Sequence, residues 1–302
     1  MANTLLKPET IVNTGLGILS RELVLGNLFT KLNAADFRGA KNDTVSFRIP
    51  AVLTAREYAW RNDRSSPIVI DPLTETKIDV TLNHDFYSAV RITDEELTLD
   101  IRDFGTQVLQ PQMRAVGEKA ESVIATALAA GTYATEIDFV EGVDDPVHVI
   151  IDARKALNLS NVPQSGRFLL VGADVEAAIL KADGLVKVDQ SGSDSALRDA
   201  TIGRIAGFTV VTSNSIDPDA AYAAHSTALV LGTAVPANPA GAVKSASASY
   251  QGWGMRWLQD YDPTILSDRS IVSTFAGATV VADGAGDEII RAVKINFTPA
   301  GS

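Results

Sequence analysis

The sequence predicts an α+β protein in which extended segments and one long helix surround a smaller unit of helices and strands. Apolar residues over 104–130 keep the 3.6-residue period of an amphipathic helix. Apolar and polar residues alternate within the segments 44–92 and 270–297, which is the pattern of half-buried strands. Between them, Asp145 and Pro146 provide a helix N-cap and a first helical residue, and they open the smaller unit.

The composition excludes several classes of functional site. The chain has 302 residues and no cysteine, so disulfides, thiol nucleophiles and iron–sulfur clusters are excluded. Its three histidines, His84, His148 and His225, are far apart in sequence, and we therefore expect no histidine metal site and no cofactor. The formal net charge of -11 has the wrong sign for a protein that binds duplex DNA by neutralising its phosphates.

Neither a secretory signal nor a membrane span is predicted. The first ten residues lack a basic stretch that leads into an apolar core. The longest uncharged stretch, residues 220–243, is mostly alanine and is interrupted by Pro236 and Pro239, so it is too weakly apolar to cross a bilayer. We expect a chain that is made in the cytosol and has no membrane partner.

Residues 1–43 are predicted to form an arm. Apolar residues recur there at helical spacing with a register shift at Gly26, and they predict one or two short amphipathic helices. These residues are Leu16, Leu19, Leu23, Leu25, Leu28, Phe29 and Leu32. Because little sequence nearby can bury this stripe, we expect neighbouring molecules to cover it.

Residues 44–92 are predicted to form a long two-armed β structure. Apolar residues alternate with polar ones over 45–49 and again over 78–82. The connection between the arms is polar and carries Arg56, Arg61 and Arg64. Connections of this length are uncommon inside compact domains and usually serve a function or an interaction. An ordinary surface loop is the alternative.

An acidic stretch precedes the long helix. Five acids in residues 94–103 stand against one arginine, Arg102. The acids are Asp94, Glu95, Glu96, Asp100 and Asp103. Nothing nearby indicates burial or a perturbed pKa, so a solvated or partner-facing surface is the preferred interpretation. The outer face of the helix is expected to carry Arg114, Glu118, Lys119 and Glu121.

The smaller unit spans residues 145–244, and extended structure follows it. The unit is predicted to contain a helix to about Leu157, a buried strand over 167–171, a helix over 175–182, a polar loop over 191–195, a strand–turn–strand over 203–211 and a strand over 227–231. Two strand-rich runs, 270–281 and 289–297, close the chain.

Motifs for catalysis or cofactor binding are weak. Gly15-x-Gly17 and Gly252-x-Gly254 imitate fragments of a dinucleotide fingerprint, but neither follows a predicted strand and opens a helix. The Gly-rich turn 283–288 carries carboxylates without the alternating oxygen ligands of a calcium loop. The sequence contains no nucleophile elbow, phosphate-binding loop or zinc-protease motif.

The order of these units resembles the major capsid proteins of tailed phages, which have the Hong Kong 97 fold. Three stretches carry the likeness: residues 145–157 with 167–183, residues 203–214, and residues 289–297. The resemblance implies a Hong Kong 97-like fold with five parts. These are an N-terminal arm (1–43), an extended β loop (44–92), a peripheral domain with a long spine helix (93–144), an inserted axial domain (145–244) and returning strands of the peripheral domain (245–302).

The resemblance implies a structural protein and not an enzyme. Copies of it would form the pentamers and hexamers of an icosahedral shell that encloses the double-stranded DNA genome without sequence-specific binding. It also implies a portal, a decoration protein and location in the virion after assembly in the host cytoplasm. The arm begins within the first dozen residues, so either this numbering is that of a processed chain or, as the initiating Met1 favours, scaffolding is a separate protein. Lys77 is the only lysine of the loop, and no motif marks it for covalent crosslinking.

Three alternatives stay open at this point. An encapsulin-like nanocompartment would keep the fold and hold an enzyme as cargo. A soluble oligomeric enzyme would use the acidic cluster of residues 94–103. A β-rich surface-binding module fits less well because of the long amphipathic helix.

Charge suggests where two copies meet. Four arginines face two acids over residues 48–64, whereas the stretch 94–103 is strongly acidic. We therefore predict that the extended loop of one copy lies over the acidic stretch of a neighbour. The candidate contact residues are Arg56, Arg61, Arg64, Asp94, Glu95 and Glu96. The net negative charge would also keep an inner wall from gripping packaged DNA.

Overall fold

The computed structural model describes residues 23–32, 37, 43–49, 53, 55–58, 60–61, 64–65, 67–73, 75–100, 104–181, 203–241, 244–250, 253–284 and 286–299. In chain order the elements are α1 (Leu25–Leu28), β1 (Thr30–Leu32), β2 (Thr44–Ile49), β3 (Thr76–Thr81), β4 (His84–Thr93), α2 (Gln110–Ala130), β5 (Glu136–Val140), α3 (Pro146–Leu159), β6 (Arg167–Val171), α4 (Ala173–Leu180), β7 (Arg204–Ile205), β8 (Phe208–Thr212), β9 (Ala220–His225), β10 (Leu229–Ala234), β11 (Lys244–Tyr250), β12 (Trp253–Asp262), β13 (Ser267–Val280) and β14 (Ala292–Thr298). The predictions at Leu16, Leu19, Gly15-x-Gly17, residues 101–103, Gly252 and the loop 191–195 lie outside the described residues.

The first sheet carries the long helix. Its strands run in the order β1-β10-β13-β12-β11, and β4 also pairs with β13. The apolar face of α2 is buried in the main core together with Trp253, Trp257 and Val272 of this sheet, as the 3.6-residue period predicts. The regular helix begins at Gln110 with Pro111 in its first turn, and a π-helical turn, Gly105–Leu109, precedes it. Proline lacks an N–H and clashes with the preceding turn, so it favours the start of a regular helix.

A buried hydrogen-bond network fixes α2 on the sheet. The indole Nε1 of Trp257 donates to Ser270 Oγ at 3.0 Å, and Ser270 Oγ donates to Gln112 Oε1 at 2.7 Å. Gln112 Nε2 in turn donates to the carbonyl oxygens of Ser270 and Ser88, at 2.9 and 3.1 Å. Because buried polar groups are costly when they lack partners, this network favours one position of the helix along the strands.

The second sheet has the strand order β5-β14-β9-β6-β8-β7. Every residue of β6 is buried, as predicted for 167–171, and α3 and α4 share a core with this sheet. The predicted cap of α3 is confirmed, since the Asp145 side chain accepts from the backbone N–H of Val147 at 2.8 Å.

Two strands differ from the sequence-based expectation. The strand predicted at 227–231 is β10, and it pairs with β13 in the first sheet instead of joining the second. The closing strand β14 was expected with the returning strands but lies between β5 and β9. Only residues 226–228 separate β9 from β10, so the chain crosses between the sheets in one tight turn. The five predicted domain bounds stay a prediction.

The described end of the arm, residues 23–32, corrects two expectations. The helical pattern predicts helix through Leu32, but α1 has only four residues and β1 follows it, paired in parallel with β10. Strand pairing prevails because it gives the backbone partners on a buried neighbour. The apolar stripe is also covered by its own chain, with Leu23, Leu25 and Phe29 buried in the main core.

The extended hairpin stands on the first sheet. Strands β2 and β3 pair from Thr44 opposite Thr81 to Ile49 opposite Thr76, which confirms the two-armed structure. Ile78 and Val80 pack with Phe37, Val230 and Val281 at its base. At Gly277 of β13 the approach is so close that a Cβ would overlap the carbonyl oxygen of Thr81.

Candidate assembly interface

The loop at the end of the hairpin, residues 53–73, exposes most of its large apolar side chains. Trp60 is 87% exposed and Ile70 is 84% exposed. The other members of this set are Leu53, Ile68, Val69 and Leu73. Several large apolar side chains exposed in one loop indicate an interaction site. The hairpin therefore presents an apolar surface that the described part of its own chain does not cover.

The loop arginines predicted to contact a neighbour have different environments. Arg56 holds Asp71 of the same loop in a two-pronged pair, Nε to Oδ2 at 3.2 Å and Nη2 to Oδ1 at 2.8 Å. Arg64 lies over the ring of Tyr58, 5.5 Å from its centroid. Arg61 is exposed at the tip, and both Arg61 and Arg64 have positive φ. Arg56 thus ties the loop together, while Arg61 is the arginine best placed to reach outward.

The acid stretch is partly explained by local structure. Glu96 Oε2 accepts from the backbone N–H of Thr93 at 2.9 Å, and Thr93 Oγ1 accepts from the N–H of Glu96 at 3.3 Å. This is a capping box, and its signature, a threonine followed three residues later by glutamate, is readable in the sequence although the cluster was interpreted by charge alone. Asp94 Oδ2 accepts from the Tyr261 hydroxyl at 3.2 Å. Glu95 is exposed and has no such role among the described residues.

Apolar side chains accompany the acids. We call this surface the acidic end and define it as residues 94–100 with residues 261–266. It exposes Leu97, Leu99, Ile265 and Leu266. Arg91 ties the two parts together, because its Nε donates to Ser267 Oγ at 3.1 Å and its Nη2 to the carbonyl of Ile265 at 3.4 Å. The acidic end therefore matches the loop in apolar character, and its acids are opposite in charge to Arg61 and Arg64.

Glu121 is a functional candidate that sequence reasoning misplaced. It was expected on the outer face of the helix, but it is only 5% exposed. Its Oε1 accepts from the backbone N–H of Gly26 at 3.2 Å, and a Cβ at Gly26 would overlap the ring of Trp253. Burial raises the pKa of Glu121, and hydrogen bonds from the backbone of residues 24–26 oppose that rise. No local pattern identifies this contact, since its partner lies 95 residues away.

Lys31 belongs to the same cluster, which holds the end of the arm. Its ammonium lies 5.2 Å from the centroid of the Trp253 ring and donates to Asn27 Oδ1 at 2.8 Å. Burial lowers the pKa of Lys31 to about 8, against the attraction of Glu121, which raises it. This cluster accordingly holds the arm on α2, and the cleft beside it is lined by Leu23, Arg114 and Glu121 together with Ser213 of the second-sheet side.

The described residues provide no grouped metal ligands, and every described acid of the cluster at 94–100 is exposed. No helix in the described part of the chain is both long and apolar enough to cross a membrane.

Comparisons with known proteins agree with this architecture. The family model described as phage capsid protein matches residues 84–285, about two thirds of the chain. A comparison with curated proteins gives no match. A structure from Mycobacterium phage Che8 is similar with a TM-score of 0.67 at 20% identity, over 91% of each chain.

Two further solved structures have the same fold. The capsid of cyanophage P-SCSP1u has a TM-score of 0.67 at 11% identity, over 92% of this chain and 89% of that one. The virus-like particle from Pyrococcus furiosus has a TM-score of 0.53 at 12% identity, over 94% and 96%. The predicted α+β, Hong Kong 97-like fold is thereby confirmed. The chain belongs to the phage capsid protein family.

Proposed function

We propose that this chain is the major capsid protein of a tailed phage, whose copies form the icosahedral shell around the double-stranded DNA genome. The observation that carries the proposal is the loop of residues 53–73, which exposes apolar side chains on a chain of the phage capsid family. A loop of this kind gains its burial only from a neighbour, so the stable state of the protein is the assembly.

In the proposed contact, the loop of one copy lies on the acidic end of the next within pentamers and hexamers. Arg61 and Arg64 approach Glu95, and Ile68, Val69 and Ile70 cover the exposed leucines and isoleucine of the acidic end. Arg56, Asp94 and Glu96 serve the same contact by holding each surface in shape through the intrachain bonds described above. Apolar burial provides the free energy of this contact, and charge provides its orientation.

The remaining partners are proposed by analogy with the family. A separate scaffolding protein, a portal and a decoration protein would complete a virion that assembles in the host cytoplasm. The net charge of -11 supports a wall that repels phosphate, so that DNA is packed and released without sequence-specific contact.

The test combines charge reversal with rescue. Purified wild-type protein, alone or co-expressed with its scaffold, is expected to give uniform hollow shells in negative-stain microscopy. The double variant Arg61→Glu with Arg64→Glu is expected to stay soluble and folded by circular dichroism but to lose most shells. Adding Glu95→Arg restores attraction across the contact and should recover part of the shell yield.

The outcomes separate two claims. Normal shells from the double arginine variant would refute the loop contact while leaving the capsid function intact. A stable small oligomer of the wild type under all conditions, scaffold included, would refute the capsid function itself. Arg204→Glu with Lys155→Glu, which reverses two exposed cations far from the loop in sequence, makes the same change in net charge and is the control.

The alternatives fare less well. The encapsulin-like compartment is not favoured, because the family match is to phage capsid proteins. The enzyme alternative requires acids in a shielded pocket, whereas the described acids of residues 94–100 are exposed.

A further inference from the structure

Strand β4 is a ten-residue edge strand. Within the described residues it pairs with β13 alone, from Ser267 opposite Thr93 to Ala276 opposite His84. It contains no proline and no lysine, two residues that commonly block an exposed edge. What pairs with the outer edge of β4 in the assembled protein therefore has to be explained.

Gln112 shows which residues of β4 face β13. In an antiparallel pair, successive residues direct their N–H and C=O groups to alternate sides. The single Nε2 atom of Gln112 donates to the carbonyls of both Ser88 and Ser270. It can reach both only if the two carbonyls face the gap between β4 and β13. Even-numbered residues of β4 thus bond to β13, and odd-numbered residues point away.

Two other hydrogen bonds agree with this alternation. The N–H of Val281, just beyond β13, donates to the carbonyl of Ala228 beside β10, so odd-numbered residues on β13 face the side opposite β4. The N–H of Thr93 points to the outer side and is bound by Glu96. The outward residues before it are Asp85, Tyr87, Ala89 and Arg91. All four are exposed, and among the described residues their backbone groups on this edge have no partner.

We propose that β4 pairs antiparallel with β4 of a second copy, about a two-fold axis at Ser88. In this register Asp85 lies opposite the partner's Arg91 and Tyr87 lies opposite the partner's Ala89, and symmetry forms each pair twice. The guanidinium is suitable, since Arg91 uses Nε and Nη2 within its own chain, which leaves Nη1 for the carboxylate. The proposal rests on the proposed function, because a closed shell brings copies together about two-fold axes.

Charge selects this register over its neighbours. Only odd-numbered residues have outward backbone groups, so an odd-numbered residue of one copy must lie opposite an odd-numbered residue of the other. The nearest alternative registers therefore move the two-fold axis by one residue. An axis at Tyr87 pairs Asp85 with Ala89, and an axis at Ala89 pairs Asp85 with Thr93. Both lose the two ion pairs, whereas opposite charges directly across a strand pair favour the register at Ser88.

The absence of cysteine makes a direct crosslinking test clean. In the proposed register, residues 87 and 89 of two copies form a hydrogen-bonded pair with Cα atoms about 5.5 Å apart. That spacing lies inside the range that a disulfide spans, about 4.4 to 6.8 Å. Shells of the double variant Tyr87→Cys with Ala89→Cys should therefore give a covalent dimer on oxidation, seen in non-reducing gels. Each single variant should stay monomeric. Residue 87 of one copy lies opposite residue 89 of the other, so the two copies of a single introduced cysteine are offset by two residues.

A proline pair tests the same edge without cysteine. Ala89→Pro removes an outward N–H, so the subunit should melt like the wild type but lose shell assembly. Val90→Pro removes an N–H that β13 uses, so the subunit itself should be destabilised.

Shells of the double cysteine variant that stay uncrosslinked, or Ala89→Pro protein that assembles normally, would overturn the pairing while the capsid function stands. A crosslink in shells between Ile70→Cys of one copy and Tyr87→Cys of another would overturn it too, by assigning the edge to the neighbour's loop. Failure of the unmodified chain to form shells at all would count against the proposed function instead.

Discussion

Two segments that the sequence marks as outreaching, the arm end at residues 23–32 and the loop at residues 53–73, differ in where their apolar side chains go. Leu25 in the arm end is fully buried within its own chain, whereas Trp60 and Ile70 in the loop are almost fully exposed. Both segments are rich in apolar residues, so hydrophobicity alone does not distinguish a segment that folds back from one that extends.

Backbone partners make the difference. The arm end pairs with β10, donates from Thr30 N–H to the carbonyl of Ser226 at 3.0 Å and presents the Gly26 N–H to Glu121. The described loop residues 67–73 have no strand partner and are held mainly through side chains such as Arg56 to Asp71. A segment with backbone partners in its own chain can bury its side chains there, and a segment without them leaves its burial to a neighbour.

The largest effect is expected from Leu25→Ala. Removal of a fully buried leucine from the main core should lower the free energy of unfolding by about 3 kcal/mol. Urea denaturation of the subunit, followed by circular dichroism, measures the loss. Leu73→Ala in the exposed loop is the matched control and should change little. Equal stability of both variants would mean that the arm end is not seated as described.

Glu121→Gln should change how the free energy of unfolding depends on pH, because Glu121 holds the arm end on α2. Because burial raises the pKa of Glu121, the folded state binds the proton more tightly than the unfolded state. The free energy of unfolding of the wild type should therefore rise as pH falls from above the raised pKa towards the ordinary value of 4.5, and then level off. Glutamine keeps an acceptor for Gly26, so the variant should stay within about 1 kcal/mol of the wild type at neutral pH.

Denaturation curves of the wild type and of Glu121→Gln are compared from about pH 4 to about pH 8, a range that includes both an ordinary and a raised carboxyl pKa. The difference between them isolates the contribution of Glu121 from the other acids. A difference that does not depend on pH would contradict the buried, proton-binding role of this side chain.

The smallest effect on the subunit is expected from Trp60→Ala. An exposed side chain without buried contacts should change the free energy of unfolding by less than about 0.5 kcal/mol. The shell should nevertheless lose stability, because a large aromatic at an interface is a typical energetic anchor. Light scattering during disassembly in guanidinium measures the shell, and Trp60→Phe is the control that keeps most of the apolar area. Unchanged shells would place Trp60 outside the contact.

Local features of this fold are readable in the sequence, and long-range ones are not. The period of α2, the cap at Asp145 and the alternation in β3 depend on residues close together in the chain, and all three appear as predicted. The exchange of β10 and β14 between sheets depends on pairings between distant strands, which no local pattern encodes.

The candidate interface divides in the same way. Net charge pointed to the loop and the acid stretch, but it treats every acid alike. The capping box that Glu96 closes has a signature in the sequence, whereas the hydrogen bond between Asp94 and Tyr261 depends on residues far apart in the chain and is found only in the structure. The contact between Glu121 and Gly26 joins residues 95 positions apart and gave no sequence signal.

Gly277 contributes to the attachment of the hairpin to the first sheet. Besides the side-chain packing at its base, the hairpin has a backbone-to-backbone contact, because no side chain lies between Gly277 and the carbonyl of Thr81. At this contact a force on the free end reaches β13 directly through the backbone, and the strand ladders connect β13 to β4, β10 and β12. In a shell of such subunits, the stiffness of the wall under the outward pressure of its contents depends in part on a residue that has no side chain.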